Sequence, residues 1–335
     1  MPQNPSIDPA ILGNHKALIT SVQKGEFLKP CPGTTKGYFC CGYQILTPLT
    51  GCGMQCDYCI LQSYFDHRCQ VVFENFEDLR KETEEKLLKW HGIMRLGTGE
   101  FADSLYQENN LGLCQKIAEL LEPYPNVVVE FKTKSVSIEN LAKIKRPEKV
   151  VIGFSMNTPA MIGLHEKDTA SLEQRLCAIQ QCEAMGFWVA IHFDPIFLYP
   201  HWKDDYCDVV RRIFSHVKDP RKIAWWSLGG FRTSPALKKY LKQTNSHLPL
   251  FSSSDLVLGE DGKYRYFRPV RVAFYSTLQE EIRKHAPQTT LYLCMESPEV
   301  WEESDMLWRI PNGLTGYLDE RAEEMIRLGK TGLKE

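Results

Sequence analysis

Three closely spaced cysteines are the strongest chemical feature of this sequence. Cys52, Cys56 and Cys59 are separated by three and then two residues, so one loop can bring all three thiols to one metal centre. Gly51 and Gly53 permit the backbone bends that such a loop requires. Cysteine thiolates hold iron-sulfur cubanes, and three local ligands leave one iron open to a substrate or cofactor. The spacing therefore predicts a 4Fe-4S cluster that binds another molecule directly.

A zinc site is the alternative interpretation of the same cysteines. Structural zinc has four cysteine or histidine ligands, so Cys40, Cys41 or a histidine would have to supply the fourth. The N-terminus lacks the basic segment and apolar run of a secretory signal, and we therefore expect a cytoplasmic location. Thiols stay reduced there, so the 12 cysteines favour metal binding or catalysis over disulfides.

Composition limits the classes of partner. The 335 residues are 43% hydrophobic and 24% charged, which is typical of a globular protein. The sequence has no run of about 20 apolar residues, so no membrane partner is expected. The net charge of -2 gives no general attraction to nucleic acid, and a nucleic-acid site would have to be a local patch.

Strand and helix patterns alternate along most of the chain. Predicted strands cover residues 43–49, 93–96, 127–131, 150–154, 188–193 and 223–228. Predicted helices cover residues 76–90, 111–121, 138–144, 172–185 and 206–217. This order indicates a parallel α/β sheet with right-handed crossovers, and both a barrel and an open doubly wound sheet fit it.

The two ends of the chain are less regular. Residues 1–42 are predicted to be an irregular N-terminal extension, and residues 234–335 a C-terminal extension packed on the sheet. The C-terminal part has predicted helices at 236–243 and 270–285, a polar linker at 244–254, a basic and aromatic strand-like segment at 263–271, and a strand at 290–294.

The cysteine motif directly after the first strand of a β/α chain resembles the cluster motif of the radical S-adenosylmethionine (SAM) superfamily. The resemblance implies a partial (β/α)6 TIM-type barrel at residues 43–233. It also implies that the open iron chelates SAM and that one-electron cleavage yields a 5'-deoxyadenosyl radical. By the same resemblance, the residues that contact SAM are Tyr58, Gly99, Glu100, Lys134 and Ser155. The alternatives are an ordinary loop for Gly99 and Glu100, a solvated lysine for Lys134 and a helix N-cap for Ser155.

Five segments give a narrower resemblance, to the spore photoproduct lyase family, and it extends over residues 25 to 295. The segments are 27–30, 56–62, 132–134, 154–157 and 229–235. The resemblance implies a DNA repair lyase that returns a methylene-bridged thymine dimer to two thymines. It also implies DNA as a partner and an external electron donor such as flavodoxin or ferredoxin.

Candidate substrate-binding residues lie in two polar and aromatic regions and near one strand end. They are His192, Asp194, Tyr199, Arg232, Lys263, Arg265, Tyr266 and Arg268. Cations can meet phosphates, and aromatic rings can stack on bases. The alternatives are a buried structural role for His192, packing roles for the aromatic residues, and a charged edge strand for the basic segment.

Two positions depart from the family pattern. Gly97 stands where we expect the hydrogen-donor cysteine, and Ile60 replaces a tyrosine, whereas Tyr58 is retained as a catalytic relay. Cys294, Cys40 or Cys41 would then donate the hydrogen, with Cys294 as the principal catalytic candidate. If no other thiol donates the hydrogen, the substrate is expected to be a different nucleic acid, a nucleotide or a peptide. A noncatalytic metal-containing DNA-binding protein is the alternative from another class.

Overall fold

The central sheet has eight strands whose spatial order follows their order in the chain. The computed structural model describes residues 9–33, 35–244 and 255–331. The strands, β1 to β8, are Leu28–Pro30, Gln44–Leu46, Met94–Gly97, Val127–Thr133, Val150–Ser155, Trp188–Ile196, Ile223–Gly230 and Leu291–Leu293. Strands β2 to β8 run parallel to their neighbours, and β1 is antiparallel to β2. The sheet curls into a half-barrel, and its six strands β2 to β7 confirm the predicted partial (β/α)6 barrel.

Helices connect consecutive strands of the half-barrel. From β2 onward they are Phe76–Leu88, Glu108–Leu111 with Leu113–Leu121, Pro159–His165 with Leu172–Ala184, Trp202–His216, and Pro235–Thr244 with Arg268–His285. Pro298–Glu303 and Gly313–Thr331 follow β8, and short helices cover Pro9–Leu12 and Leu61–Tyr64. The connection between β4 and β5 has only 3-10 turns, Glu139–Lys143 and Pro147–Lys149, and not the helix predicted at 138–144. Two more 3-10 turns cover Pro220–Lys222 and Leu307–Arg309.

Burial on both faces explains the apolar character of these strands. All eight residues of β7 are buried, and the longest strands meet helices on the outside of the sheet and side chains of other strands inside it. Local signals fix helix ends as well. Ser171 and Gln174 form a reciprocal capping box that starts the helix Leu172–Ala184.

Both predicted extensions contribute to the same sheet. Strand β1 comes from residues 1–42 and β8 from residues 234–335. The prediction that the first 42 residues are irregular is therefore wrong in part, because Leu18–Ser21 and Leu28–Pro30 are strands. Runs this short carry too little periodicity to be recognised. The three-part division of the chain stays a prediction.

Three small sheets surround the half-barrel. The first joins Leu18–Ser21, Gln70–Phe73 and Leu49–Thr50, the second joins Gln55–Cys56 and Glu166–Lys167, and the third joins Arg232–Thr233, Tyr264–Tyr266 and Leu256–Leu258. Only Tyr264–Tyr266 of the predicted segment 263–271 is a strand, because a helix begins at Arg268 with proline in its first turn. The predicted linker at 244–254 lies, after residue 244, outside the described residues. No helix in the described ranges is long and apolar enough to cross a membrane.

Candidate active site

The cysteine loop follows β2 at the carboxyl end of the sheet and is fixed there by backbone contacts. Gln55–Cys56 pairs antiparallel with Glu166–Lys167, and the Asp57 backbone N–H donates to the His165 carbonyl oxygen at 2.9 Å. Gly51 has a positive φ of 80°, and a Cβ there would lie 2.3 Å from the Cys69 carbonyl oxygen. Only glycine therefore fits at the start of the loop.

All three thiols of the loop line one cavity of about 230 Å³. Burial raises the pKa of each thiol, so a bound metal would be needed to stabilise the thiolates. Within the described ranges, no three cysteine, histidine, aspartate or glutamate side chains are already placed as ligands of one metal ion. The all-sulfur donor set and the shared cavity fit an iron-sulfur cluster. Cys40 and Cys41 are not among the residues that line this cavity.

A buried ion pair holds Tyr58 beside the cysteine loop. The Tyr58 hydroxyl donates to Glu166 Oε1 at 2.5 Å, and Arg175 Nη2 donates to Glu166 Oε2 at 2.6 Å. Arg175 also donates to the Ser155 carbonyl oxygen at 2.8 Å, which ties the pair to the end of β5. Burial would raise the pKa of Glu166, but Arg175 and Lys134 outweigh it and hold this pKa below its usual value.

Lys134 and Asp103 connect the ends of β3 and β4. Lys134 Nζ lies 5.7 Å from the centre of the Tyr58 ring, so it faces the cysteine loop. Asp103 accepts hydrogen bonds from the Lys134 backbone N–H and the Thr133 hydroxyl, both at 2.7 Å. These contacts hold the loop after β3 close to Lys134.

Gly99 and Glu100 lie in this loop after β3. Gly99 packs closely on β4, since a Cβ there would lie 2.7 Å from the Lys132 Cβ. The Glu100 side chain is exposed at the mouth of the half-barrel. Its charge acts on Cys59, which places the carboxylate near the cysteine loop. The structure thus gathers Tyr58, Gly99, Glu100 and Lys134 around the three cysteines, with buried Ser155 on the adjoining strand.

A second group of residues meets on the other side of the mouth. Arg232 Nη2 donates to Asp194 Oδ2 at 3.1 Å and to Cys294 Sγ at 3.4 Å. Burial would raise the pKa of Asp194, but Arg232 lowers it below its usual value. Burial and the Asp194 charge raise the pKa of Cys294 to about 12, so this thiol stays protonated at neutral pH. Lys263 lies nearby, with Nζ 3.9 Å from Met295 Sδ.

His192 belongs to a hydrogen-bond network inside the half-barrel. His192 Nε2 lies 2.5 Å from Glu130 Oε1, and the Tyr43 hydroxyl donates to Glu130 Oε2 at 2.7 Å. His192 and Glu130 are both buried. In this structure His192 therefore holds the interior together below the mouth.

Four further predicted substrate-binding residues have polar groups that are already bound within the chain. Tyr199 bonds to Thr158 and Asp205, and the Tyr266 hydroxyl accepts from the Leu198 backbone N–H. Arg265 is only 3% exposed and forms a bidentate pair with Asp261, both at 2.8 Å. Arg268 is exposed but pairs with Glu303 at 3.3 Å. The contacts of Arg265 and Arg268 stabilise the strand pair Leu256–Leu258 and Tyr264–Tyr266 and the helix that begins at Arg268.

Several residues that build the site are not predicted from the sequence. They are Tyr43, Asp103, Glu130, Glu166 and Arg175. One signal was available, because Glu130 interrupts the apolar run of β4 and a charge inside a buried strand needs a partner. Arg175 gives no such signal, since a charged residue is ordinary on a helix.

The half-barrel and the cysteine loop at its carboxyl end place the chain in the radical SAM superfamily. A family model described as spore photoproduct lyase matches residues 40–292, and the chain belongs to this family.

Individual relatives agree with this assignment. The chain is 25% identical over 205 residues to a spore photoproduct lyase of Clostridium acetobutylicum, covering 60% of this chain and 61% of that protein. It is 22% identical over 166 residues to one from a Geobacillus species, covering 49% of each protein. The chain thus spans about half to three fifths of the length of these curated relatives.

Solved structures of spore photoproduct lyases share the fold. A mutant spore photoproduct lyase with bound AdoMet and dinucleoside spore photoproduct matches with a TM-score of 0.75 at 19% identity. A second spore photoproduct lyase, complexed with dinucleoside spore photoproduct, matches with a TM-score of 0.73 at 18% identity. Each match covers 84% of this chain and 83% of the other.

Proposed function

We propose that this protein is a radical SAM lyase that reverses a thymine dimer lesion in DNA. The observation that carries the proposal is that two groups lie close together, the cysteine loop with Lys134 and the trio Asp194, Arg232 and Cys294. Glu100 connects them, because its charge acts both on Cys59 and on Lys263, which lies near Arg232. When bound, the 4Fe-4S cluster and SAM would together supply a 5'-deoxyadenosyl radical that abstracts hydrogen from the lesion. The names of the curated relatives, and the spore photoproduct in the solved structures, support this choice of substrate.

The residues around the cysteine loop are proposed to hold SAM. The exposed Glu100 carboxylate would accept hydrogen bonds from the ammonium group, and such charged bonds are about twice as strong as neutral ones. Lys134 would pair with the carboxylate of SAM. Gly99 lets this loop pack closely on β4, and Ser155 lies on the adjoining strand. Tyr58, fixed by Glu166, would contact the cofactor.

Cations on the other side of the mouth are proposed to bind the DNA backbone. Arg232 is oriented by Asp194, and Lys263 and Lys132 carry further positive charge close by. Phosphate oxygens are the natural partners of such groups, and base recognition would come from the shape of the mouth. His192, Arg265 and Tyr266 are proposed to act through packing, because all three are buried.

Cys294 is the proposed hydrogen donor in place of a cysteine at residue 97. Its thiol is protonated and lies on the Arg232 guanidinium, so a lesion bound by Arg232 would meet the sulfur. The hydrogen atom of the thiol passes to the carbon radical of the substrate and leaves a sulfur-centred radical. Tyr58 is the proposed relay that returns the radical towards the cofactor. The electron that starts the reaction would come from a flavodoxin or ferredoxin.

The decisive experiment is anaerobic incubation of the reconstituted protein with SAM, a chemical reductant and DNA that contains the lesion. We expect iron in the protein, release of 5'-deoxyadenosine on cleavage of SAM, and regeneration of thymine. The Cys56→Ala variant should lose all three, whereas Cys177→Ala, at an exposed cysteine, should keep them. Cleavage of SAM with an untouched lesion would reject the substrate, and absence of cleavage would reject the chemistry.

One observation favours a second candidate, radical SAM chemistry on a different nucleic acid, a nucleotide or a peptide. Tyr43 packs where a side chain on residue 97 would lie, so this position offers no side chain that could donate hydrogen. Incorporation of deuterium from labelled SAM into each class of substrate would distinguish the two. Exclusive turnover of lesion DNA would dismiss the second candidate.

A further inference from the structure

The cavity around the three cysteines also borders a face outside the barrel mouth. Besides the cysteine loop it is lined by His15, Phe65, His67, Arg68, Lys167 and Tyr240. None of the proposed DNA-binding residues Arg232, Lys263 or Lys132 lines it. This face therefore reaches the thiols without passing through the substrate site. We call it the cluster-side face and define it by Lys16, Ile60, Tyr64, Arg68 and Lys167.

Exposed cations surround the cluster-side face. The side chains of Lys16 and Lys167 are 60% and 59% exposed, and exposed Arg68 packs on the Tyr240 ring at 5.3 Å. Lys16 and His15 both contact Asp168 at 3.6 Å.

Two other carboxylates lie near these cations. Asp57 is buried and lies 3.2 Å from His165 and 3.8 Å from Lys167. Asp66 is exposed, and so is Lys239 on the helix that carries Tyr240. The exposed cations thus outnumber the exposed carboxylates Asp66 and Asp168, and this excess favours a negatively charged partner. The cations are Lys16, Arg68, Lys167 and Lys239.

Two exposed apolar side chains lie at the ends of the short helix Leu61–Tyr64, whose first two residues line the cavity. Ile60 and Tyr64 directly follow the last cluster cysteine and are 39% and 54% exposed. The Tyr64 ring stacks on Phe101 with ring centres 5.4 Å apart, which fixes it at the surface. Exposed apolar groups with a polar rim are typical of protein interfaces.

We propose that the cluster-side face docks a small acidic one-electron carrier protein that reduces the cluster. This proposal rests on the proposed function and names the partner of the same site. One electron passes from the reduced carrier to the cluster, the carrier is oxidised by one electron, and no atoms are transferred. Redox encounters use small interfaces, below about 1,200 Å², so a patch of this kind suffices.

The test uses a reduced acidic flavodoxin as probe and the reconstituted protein with Lys16→Glu and Lys239→Glu combined, because both lysines are exposed and neither lines the cavity. We expect the second-order rate constant of cluster reduction to fall about tenfold at low salt, because rim charges steer association. Affinity of oxidised flavodoxin, measured by calorimetry, should fall in parallel. At about 1 M ionic strength, where screening is nearly complete, the difference should vanish.

Two controls make the result specific. The matched variant Lys145→Glu with Lys218→Glu changes two exposed lysines in loops that precede β5 and β7, at the opposite end of the sheet, and should behave like the unmodified protein. Dithionite should drive SAM cleavage equally in all three proteins, because a small reductant needs no docking face.

Three outcomes separate the proposals. Equal flavodoxin binding and reduction in all three proteins would overturn the docking face alone. Weaker binding of lesion DNA by the reversed variant, with flavodoxin unaffected, would overturn it in favour of a DNA surface. Absence of SAM cleavage with dithionite in the unmodified protein would instead reject the proposed function.

Discussion

The ring of Tyr43 lies against Gly97 at the point where any larger side chain on residue 97 would begin. A Cβ on Gly97 would be 2.2 Å from Tyr43 Cε1 and 2.4 Å from its hydroxyl oxygen. The Tyr43 hydroxyl is fixed by Glu130, and Glu130 by His192, so the ring is held by residues of two strands, β4 and β6. The Tyr43 ring thus occupies the space that a cysteine side chain on residue 97 would need.

This contact predicts that residue 97 does not accept a side chain. Gly97→Ala should lower the free energy of unfolding by about 1–3 kcal/mol, because the Tyr43 ring must move and overpacking is costly. Gly163→Ala is the control, since a Cβ there meets nothing within 4 Å and alanine favours the helix. Urea unfolding of both variants measures the difference. An equal, small effect at both positions would contradict the packing described here.

Cys294 should be needed for the last step, hydrogen transfer to the substrate radical, and not for the cleavage of SAM. In Cys294→Ser, thymine formation should fall by more than about tenfold, which corresponds to about 1.4 kcal/mol, while 5'-deoxyadenosine still forms. In heavy water the exchanged thiol should place deuterium in the repaired thymine, and the variant should lose this label. Cys40→Ser and Cys41→Ser are the matched controls. Unchanged labelling in Cys294→Ser would assign the hydrogen to another group.

The Glu166–Arg175 pair should be costly to break. Arg175→Ala leaves a buried carboxylate without its guanidinium and should cost about 3–5 kcal/mol of unfolding free energy. Replacing both residues by leucine should cost less, because no buried charge is left alone. Arg80→Ala, at the exposed pair with Glu77, should change stability little. A larger loss in the double variant than in Arg175→Ala would contradict this account.

The same pair predicts a pH dependence of stability. The pKa of Glu166 is held below its usual value, so the stabilisation is fully present above the unfolded value of about 4.3. It should be lost as the pH falls through the lower, folded-state pKa. Glu166→Gln should therefore flatten the fall in unfolding free energy between about pH 5 and pH 3. An unchanged slope in this variant would show that Glu166 does not titrate in that range.

Arg232 and Arg268 should differ in their effect on DNA binding, although sequence analysis proposed both. Arg232→Ala should weaken binding of lesion DNA by about tenfold, with a smaller dependence on salt, because it removes a phosphate partner at the mouth. Arg268→Ala should have little effect, since this side chain pairs with Glu303 away from the cysteine loop. Fluorescence anisotropy with labelled DNA measures both. SAM cleavage without DNA serves as the check that the cofactor site is intact.

The sequence by itself determined the order of the half-barrel strands and the position of the cysteine loop. Apolar runs and helical periodicity are local properties, so the strands β2 to β7 could be placed within a few residues. The spacing of Cys52, Cys56 and Cys59 is also local, because one short loop carries all three thiols. Their place directly after β2 sets them at the mouth whatever the rest of the chain does.

Only the tertiary structure decided which polar residues face that mouth. Arg265 and Arg232 are both arginines near aromatic residues, yet one is buried against Asp261 and the other lies at the site. Tyr43 and Gly97, or Glu166 and Arg175, meet because strands and helices distant in sequence pack together. Such contacts depend on the register and curvature of the whole sheet, which no local pattern encodes.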